Sequence, residues 1–258
     1  MRSTIASRLV VAVSVGALAL LGFSSLSSAQ PGQDQRQQEK DRQQQEKDKQ
    51  QGRGAQKHLS QQEQQRLIAQ QQQRLAQYND HLNQQQRAGQ QHSAQLQSQN
   101  RKAQASYQQQ YVVSLQQQQV RVQAQGRYNY NGDPYFSTPV SLRYQRGGRY
   151  YETNQYGADQ LRLAVNNGYD QGVRAGQADR QDRWASNYGA SYAYQDANYG
   201  YSGFYIERAD YNNYFREGFR RGYADGYNGR YQSGTYVNGH GSVLGAVLAT
   251  IINFTSIR

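Results

Sequence analysis

Hydrophobic residues are concentrated at the start of this chain. Residues 9–21 form a nearly continuous apolar run, which follows the basic residues Arg2 and Arg8 and is followed by small residues ending at Ala29. This order of features is typical of a secretory signal peptide. The run is also shorter than the roughly 20 apolar residues that span a membrane. We therefore predict that residues 1–29 are a signal peptide; the alternative is a retained N-terminal membrane helix.

Between residues 30 and 125 hydrophobic positions become sparse and glutamine dominates. Gln, Lys, Arg, Glu and Ala are all good helix formers. A weak repeat of apolar or small residues follows, at intervals of seven: Ile68, Leu75, Leu82, Gly89, Leu96 and Ala103. A seven-residue repeat is the pattern of a left-handed coiled coil. We predict a long Gln-rich helix or coiled coil, partly disordered, over residues 30–125.

A single helix of this length cannot bury its own apolar stripe. It must pair with another helix, fold back near Gly89 or remain partly frayed. Three interpretations therefore stay open: a solvated spacer helix, self-association of the chain through residues 59–125, and Gln-rich disorder prone to aggregation.

Residues 126–157 have a different composition, rich in tyrosine and glycine. The sequence Asn131-Gly132-Asp133-Pro134 and the pair Gly147-Gly148 are turn signals. We predict a linker that contains a short hairpin and is otherwise disordered.

An internal repeat is the most specific pattern in the chain. Two segments read G-[YF]-x-x-G-x-x-x-G at an offset of 50 residues, and their glycines are Gly168, Gly172, Gly176, Gly218, Gly222 and Gly226. On an α-helix, residues i, i+4 and i+8 lie along one face. Each segment therefore predicts a helix with a bare strip that another main chain can approach closely. Each interior glycine costs about 1 kcal/mol relative to alanine, which close packing must offset.

We predict helices at about residues 158–183 and 208–228, packed as an antiparallel pair through these strips within a module at 158–232. Aromatic residues beside the strips would supply the core that aliphatic residues do not. Alternatively, the motif presents a face that binds glycan or peptidoglycan. The candidate binding surface consists of Tyr169, Phe219 and Tyr223.

The duplicated motif resembles a type found in uncharacterised exported bacterial proteins, which carry one or two G-[YF]-x-x-G-x-x-x-G units. The second unit there commonly reads much like FREGFRRGY at residues 215–223. The resemblance covers roughly residues 158–231, and it implies helices and an envelope location. It implies no catalytic or binding residues.

The last segment, residues 233–258, contains the most apolar stretch after the N-terminal run, at 243–257. It is too short to span a membrane. It is either a final element that covers the helix pair or a segment that contacts the envelope or a membrane surface.

Composition narrows the chemistry further. Leu, Ile, Val and Phe make up about 16% of the chain, too little for a large conventional core. The chain has no Cys, which excludes disulfides, thiolate nucleophiles and Cys-based zinc sites. The four histidines are too dispersed along the predicted helix and tail to suggest a metal site, and no catalytic motif is present. We expect no enzyme activity, no metal and no cofactor.

These patterns together predict a mainly α protein that is exported to the periplasm, the outer envelope or the extracellular space. We expect a non-enzymatic scaffolding or attachment role, in which the glycine-motif module docks and the Gln-rich segment spaces or self-associates. The alternative is a binding module for cell-wall polymer or another polyanion, since the net charge is +11. Arg and Tyr alternate in residues 126–157, but this pairing is also common in ordinary cation–π contacts, and we expect no nucleic-acid partner.

Overall fold

The computed structural model describes residues 59–257, so the predicted signal peptide and the first part of the Gln-rich segment lie outside the described residues. Within this range the chain is mainly helical with small antiparallel sheets, as predicted at the level of fold class. The helices are α1 Gln61–Ser98, α2 Lys102–Ala124, α3 Pro134–Ser137, α4 Gln155–Gln181, α5 Tyr192–Asp196, α6 Arg208–Asn228 and α7 Gly245–Ile252. The strands are β1 Leu142–Arg146, β2 Arg149–Thr153, β3 Gly234–Val237, β4 His240–Val243 and β5 Thr255–Ser256.

The Gln-rich segment forms a helical hairpin rather than one continuous rod. Helix α1 begins with a capping box, in which Ser60 and Glu63 satisfy each other's main-chain N–H groups. It ends near Asn100, whose positive φ of 58° turns the chain back. The fold-back therefore lies about ten residues beyond Gly89, the position expected from the sequence. Gly89 instead lies inside the hairpin, where a Cβ would meet Val112 at 2.7 Å.

The seven-residue repeat is buried within this single chain. Leu75, Leu82 and Leu96 are at most 6% exposed, because α1 packs against α2 and the hairpin packs against the rest of the fold. Most of this seam is therefore covered within the molecule, while Ile68 and Ala103 are half-buried.

The linker predicted at residues 126–157 is ordered, which corrects the expectation of disorder. Asp133 caps α3, where Pro134 occupies the first helical position. Strands β1 and β2 then pair antiparallel. Gly147 and Gly148 both have positive φ, which the two-residue turn between these strands requires. Strand β5 adds to the other edge of β1, so the end of the chain holds this hairpin in place.

Helices α4 and α6 occur where the two glycine motifs predicted helices. Asn154 caps α4 through the N–H groups of Tyr156 and Gly157, and Gly229 ends α6 in the left-handed conformation. The prediction that the helices run antiparallel is wrong. Contacts advance in the same direction along both helices, from Gly168 beside Phe215 to Gly176 beside Tyr223, so the pair is parallel.

The long connection at residues 182–207 explains this direction. Helix α4 has 27 residues and is about 40 Å long. The connection is long enough to return along that distance before α6 begins. It also contributes core residues, since Tyr192, Tyr201 and Phe204 are at most 7% exposed.

The contacts between α4 and α6 are duplicated in the same way as the sequence. A Cβ on Gly168, Gly172 or Gly176 would lie closer than 3.0 Å to the carbonyl oxygen of Phe215, Phe219 or Tyr223. A Cβ on Gly218, Gly222 or Gly226 would collide with the carbonyl oxygen of Val165, Tyr169 or Val173. Val165 corresponds to Phe215 at the offset of 50 residues. The two helices are therefore related by a local pseudo-twofold axis that runs along the pair.

Aromatic side chains form most of the core around this pair. The largest fully buried side chains are mainly tyrosines and phenylalanines: Tyr111, Tyr169, Tyr201, Tyr211, Tyr214, Tyr223, Phe136, Phe215 and Phe219. Four rings on α6 stack in succession one helical turn apart, from Phe215 through Phe219 and Tyr223 to Tyr227. An aromatic side chain buries a large apolar area, so a chain that is poor in Leu, Ile and Val still builds a core.

The glycine contacts predict a large cost for a single added methyl group. Gly172→Ala and Gly222→Ala place a Cβ against a main-chain carbonyl, which no rotamer change can relieve. We expect each substitution to lower the free energy of unfolding by roughly 2–4 kcal/mol, and to lower the thermal midpoint by several degrees.

Gly245→Ala is the matched control, because it starts α7 and no heavy atom lies within 4 Å of its Cβ position. Thermal unfolding followed by circular dichroism checks all three variants. Equal midpoints for Gly172→Ala, Gly222→Ala and Gly245→Ala would contradict close main-chain packing.

Candidate functional site

The aromatic residues predicted as a binding surface lie in the core, which corrects that expectation. Tyr169 and Phe219 are fully buried, and Tyr223 is 1% exposed. Their rings fill the space beside the helix pair because the glycine strips offer no side chains of their own. They are therefore not available to a ligand, and the candidate site has to be sought elsewhere on the surface.

The hydroxyl groups of the buried tyrosines instead connect the two helices. Tyr169 of α4 donates to Asp225 Oδ2 of α6 at 2.8 Å. Tyr223 of α6 donates to Asp179 Oδ2 of α4 at 2.6 Å. A buried hydroxyl needs a hydrogen-bond partner, and a carboxylate is a strong acceptor. These two aspartates are thus partners of core tyrosines.

Asp179 also joins the helical hairpin to the helix pair. The Arg101 guanidinium forms an ion pair with Asp179 and lies 4.6 Å from the ring centre of Trp184. Burial raises the pKa of Asp179, although the hydrogen bond from Tyr223 and the charge of Arg101 act in the opposite direction. Next to this pair, Asp182 accepts hydrogen bonds from the N–H groups of Ala103 and Gln104, both at 2.9 Å. A side chain at the end of α4 therefore caps the start of α2.

The other buried aspartates have partners of the same kind. Asp210 pairs with Arg146 at 2.8 Å, and burial raises the pKa of its carboxyl group. Asp196 accepts from Tyr111 at 2.5 Å. Asp170 pairs with Arg174 at 3.2 Å. Each of these three carboxylates is paired with a tyrosine or an arginine.

A concave surface lies where α2, α4 and the β3–β4 hairpin meet. We call it the glutamine–tyrosine groove. Its volume is about 500 Å³, which is within the range of small-molecule sites. The polar side chains that line it are Lys102, Ser106, Gln110, Arg174, Gln177, Gln181, Tyr107 and Tyr236.

The aromatic wall of the groove is held by a neighbouring ring. Tyr236 lies parallel to Tyr231, with ring centres 5.9 Å apart and planes 6° apart. Gln177 donates to the Tyr231 hydroxyl at 2.9 Å. Tyr231 itself is 40% exposed. The pair therefore offers a flat aromatic surface beside several amide groups.

Asp170 and Arg174 position the hairpin that carries Tyr236. Arg174 donates to the carbonyl of Gly239 at 2.9 Å. Asp170 accepts from the N–H of Gly241 at 2.7 Å. Both contacts attach the β3–β4 turn to α4, so the groove has a defined shape.

The electrostatic character of the groove is positive. Lys102 and Arg174 line it, and its lining includes no Asp or Glu. Asp170 neutralises part of the Arg174 charge from behind, whereas Lys102 is exposed. The groove can therefore hold a polar ligand with one or more negative charges.

Sequence reasoning did not identify the groove. Its walls come from segments that are up to 137 residues apart, from Lys102 to Gly239, and the glutamines and tyrosines that they contribute are residue types that occur throughout the chain. The glycines of the repeat do not line the groove. One strip of them, Gly168, Gly172 and Gly176, lies on α4 and packs this helix against α6.

Within residues 59–257, no helix combines the length and the apolar character needed to cross a bilayer. The same residues contain no group of three or more His, Asp or Glu side chains arranged to hold a metal ion. Comparisons with protein-family models, curated proteins and solved structures find no match to this chain.

The buried tyrosines predict a steep loss of stability in alkaline solution. Burial raises the pKa of Tyr214 to about 12, and burial and nearby carboxylates raise the pKa values of Tyr169 and Tyr223 as well. When the pKa of a tyrosine is higher in the folded state than its value of about 10 in the unfolded state, the fold is more stable while that tyrosine is neutral. This stabilisation is complete below pH ~10 and is lost as the pH rises further.

We therefore expect tyrosinate absorbance to rise in two phases. Exposed tyrosines ionise first, and the buried ones ionise together with the loss of helical circular dichroism. Complete ionisation of all tyrosines near pH 10 with the helical signal intact would show that the core rings are accessible.

Proposed function

We propose that this protein is an exported, non-enzymatic envelope protein with an attachment role, and that it docks on an acidic glycan through the glutamine–tyrosine groove. The observation that carries this proposal is the lining of the groove, which combines two cations, three glutamines and the half-buried ring of Tyr236 without an Asp or Glu. Sequence patterns support export, because the first 29 residues have the order of a signal peptide.

Each part of the groove suits a different feature of such a polymer. The face of a sugar ring is apolar and can lie against Tyr236. Sugar hydroxyls both donate and accept hydrogen bonds, as do the amides of Gln110, Gln177 and Gln181. Lys102 and Arg174 suit carboxylate or phosphate groups. The groove is open to solvent rather than enclosed, as a chain-like ligand requires.

The glycine-faced pair of α4 and α6 is the rigid support in this proposal. Close main-chain packing of α4 prevents the groove floor from shifting. The ion pair between Arg101 and Asp179 fixes the start of α2 on α4. Preorganised polar groups lose less conformational entropy when a ligand binds, and such a scaffold compensates for the small area of the site.

A second candidate contact is the apolar tail at residues 243–257, which we propose for the envelope or a membrane surface. Leu244 is 44% exposed, and Val247, Leu248 and Ile251 of α7 are only half-buried. Arg162 lies 5.0 Å from the ring centre of Phe254 beside this face. An apolar surface next to a cation is the pattern of interfacial binding to anionic lipid.

Binding of a purified acidic cell-wall polysaccharide tests the groove. Tyr236→Ala should weaken binding about tenfold, or about 1.4 kcal/mol, because it removes the aromatic wall. Lys102→Gln should weaken binding less and should reduce its dependence on salt. Isothermal titration calorimetry at two ionic strengths measures both effects.

Tyr150→Ala is the matched control, because Tyr150 is 67% exposed on the β1–β2 hairpin and does not line the groove. It should bind as the unchanged protein does. Equal losses for Tyr150→Ala and Tyr236→Ala would indicate non-specific contact, and unchanged binding by Tyr236→Ala would refute the proposed role of the groove.

The tail is tested by sedimentation with vesicles that contain anionic phospholipid. Leu244→Ser should reduce the bound fraction several-fold, since it removes exposed apolar area. Val237→Ser is the control, because Val237 is 62% exposed on β3. Point variants are preferable to a truncation, because Ile252 and the pairing of β5 with β1 belong to the fold. Equal vesicle binding by all three proteins would exclude the tail.

A further inference from the structure

A second cavity lies between α1 and the start of α6, away from the glutamine–tyrosine groove. Its volume is about 390 Å³, and three arginines line it: Arg74, Arg208 and Arg216. Glu207 supplies the only carboxylate of the lining. The net formal charge of the lining is therefore about +2.

The three arginines are not equally available to a ligand. Arg216 donates to the carbonyls of Tyr194 at 3.0 Å and Gln195 at 2.6 Å, which holds it against the end of α5. The Arg208 side chain forms no ion pair and no hydrogen bond with any other residue among 59–257. Arg74 reaches Glu207 at 3.1 Å through Nε. Its Nη1 donates to Gln71 Oε1 at 3.1 Å and to the carbonyl of Ile206 at 3.4 Å, which leaves Nη2, and Nε once Glu207 moves away, for a ligand. Arg74 and Arg208 are thus the groups that can bind an anion.

The rest of the lining suits the body of a small organic molecule. The buried rings of Tyr78 and Tyr201 form part of the wall, and the amides of Gln77 and Asn212 lie beside them. Helix α6 begins at this point, and its N-cap Glu207 makes no side-chain hydrogen bond to the first turn. The first N–H groups of the helix therefore add to the positive potential.

Glu207 indicates which anion the cavity accepts. Its carboxylate is already paired with Nε of the Arg74 guanidinium, yet 64% of the Glu207 side chain is exposed. An exposed ion pair contributes little to stability, so Glu207 can move into solvent at small cost. A ligand carboxylate can then replace it on Arg74 and also reach Arg208, and two guanidinium groups match a carboxylate better than one.

We propose that this cavity is a binding site for a small organic carboxylate, of about the size of an acylated amino acid or a sugar acid, and that Glu207 is its internal competitor. The inference does not depend on the proposed function, because the two sites share no residue.

If Glu207 competes with the ligand, substitution of Glu207 and substitution of the arginines beside it should change the affinity in opposite directions. Glu207→Gln should tighten binding about fivefold or more, since it removes both the competing carboxylate and a repulsive charge. Arg208→Gln should weaken binding about tenfold, and Arg74→Gln at least as much. Within residues 59–257 the Arg208 side chain makes no ion pair or hydrogen bond that could be lost, so its variant stays informative if Arg74→Gln affects folding.

The probes are galacturonate and N-acetylalanine, with galactose and N-acetylalanine amide as neutral counterparts and inorganic phosphate as a second anion. Isothermal titration calorimetry measures each dissociation constant. Arg121→Gln, an exposed arginine on α2, should leave binding unchanged, as should Tyr236→Ala in the groove.

Several results would overturn the proposal. These are the absence of saturable binding of either carboxylate to Glu207→Gln up to about 10 mM, equal binding of the neutral counterparts, and weaker binding after Glu207→Gln. Phosphate binding as tight as carboxylate binding would overturn the assignment of the ligand class.

Discussion

The fold depends on the contact between two main chains. Along α4 and α6, glycines at every fourth residue face carbonyl oxygens of the other helix, at a separation that leaves no room for a Cβ. The hydrogen that each glycine carries in place of Cβ points at a carbonyl, which allows weak Cα–H···O contacts. Because the repeat is duplicated, each helix acts as both the bare and the covering surface. The helix propensity lost at six glycines is offset by packing that side chains of any size would prevent.

A core that is poor in aliphatic residues and rich in tyrosine has to provide partners for buried hydroxyl groups. Tyrosine supplies the apolar area, but each buried hydroxyl requires an acceptor. This requirement explains why aspartates such as Asp179 and Asp225 are buried next to tyrosines. Arginines such as Arg101 and Arg146 then balance the charge of buried aspartates. Ion pairs at these positions connect the hairpin, the sheet and the helix pair. The polar groups therefore specify how the elements are arranged, while the rings supply most of the buried area.

Both cavities proposed as binding sites lie at the boundaries between these elements. The groove is formed where the start of α2 and the end of α4 are fixed to each other by Arg101 and Asp182. The arginine cavity is formed where α1 passes the beginning of α6. In both, a carboxylate at the edge reduces the positive charge without cancelling it. Such boundaries are the usual place for sites, because rigid elements position side chains that no single element could bring together.

The sequence alone was sufficient for the helical class of the fold and for the location of α4 and α6, because a four-residue glycine spacing that is repeated at a constant offset of 50 residues is a local signal. It did not determine the parallel direction of the pair, the hairpin of α1 and α2 or the order in residues 126–157. Those features depend on contacts between distant segments, such as β5 with β1 and Arg101 with Asp179. The aromatic residues beside the glycines were predicted to supply the core, with a binding surface as the alternative, and only the tertiary structure shows that their rings are covered. The groove and the arginine cavity were invisible for the same reason: only the tertiary structure decides which of many similar Gln, Tyr and Arg side chains converge.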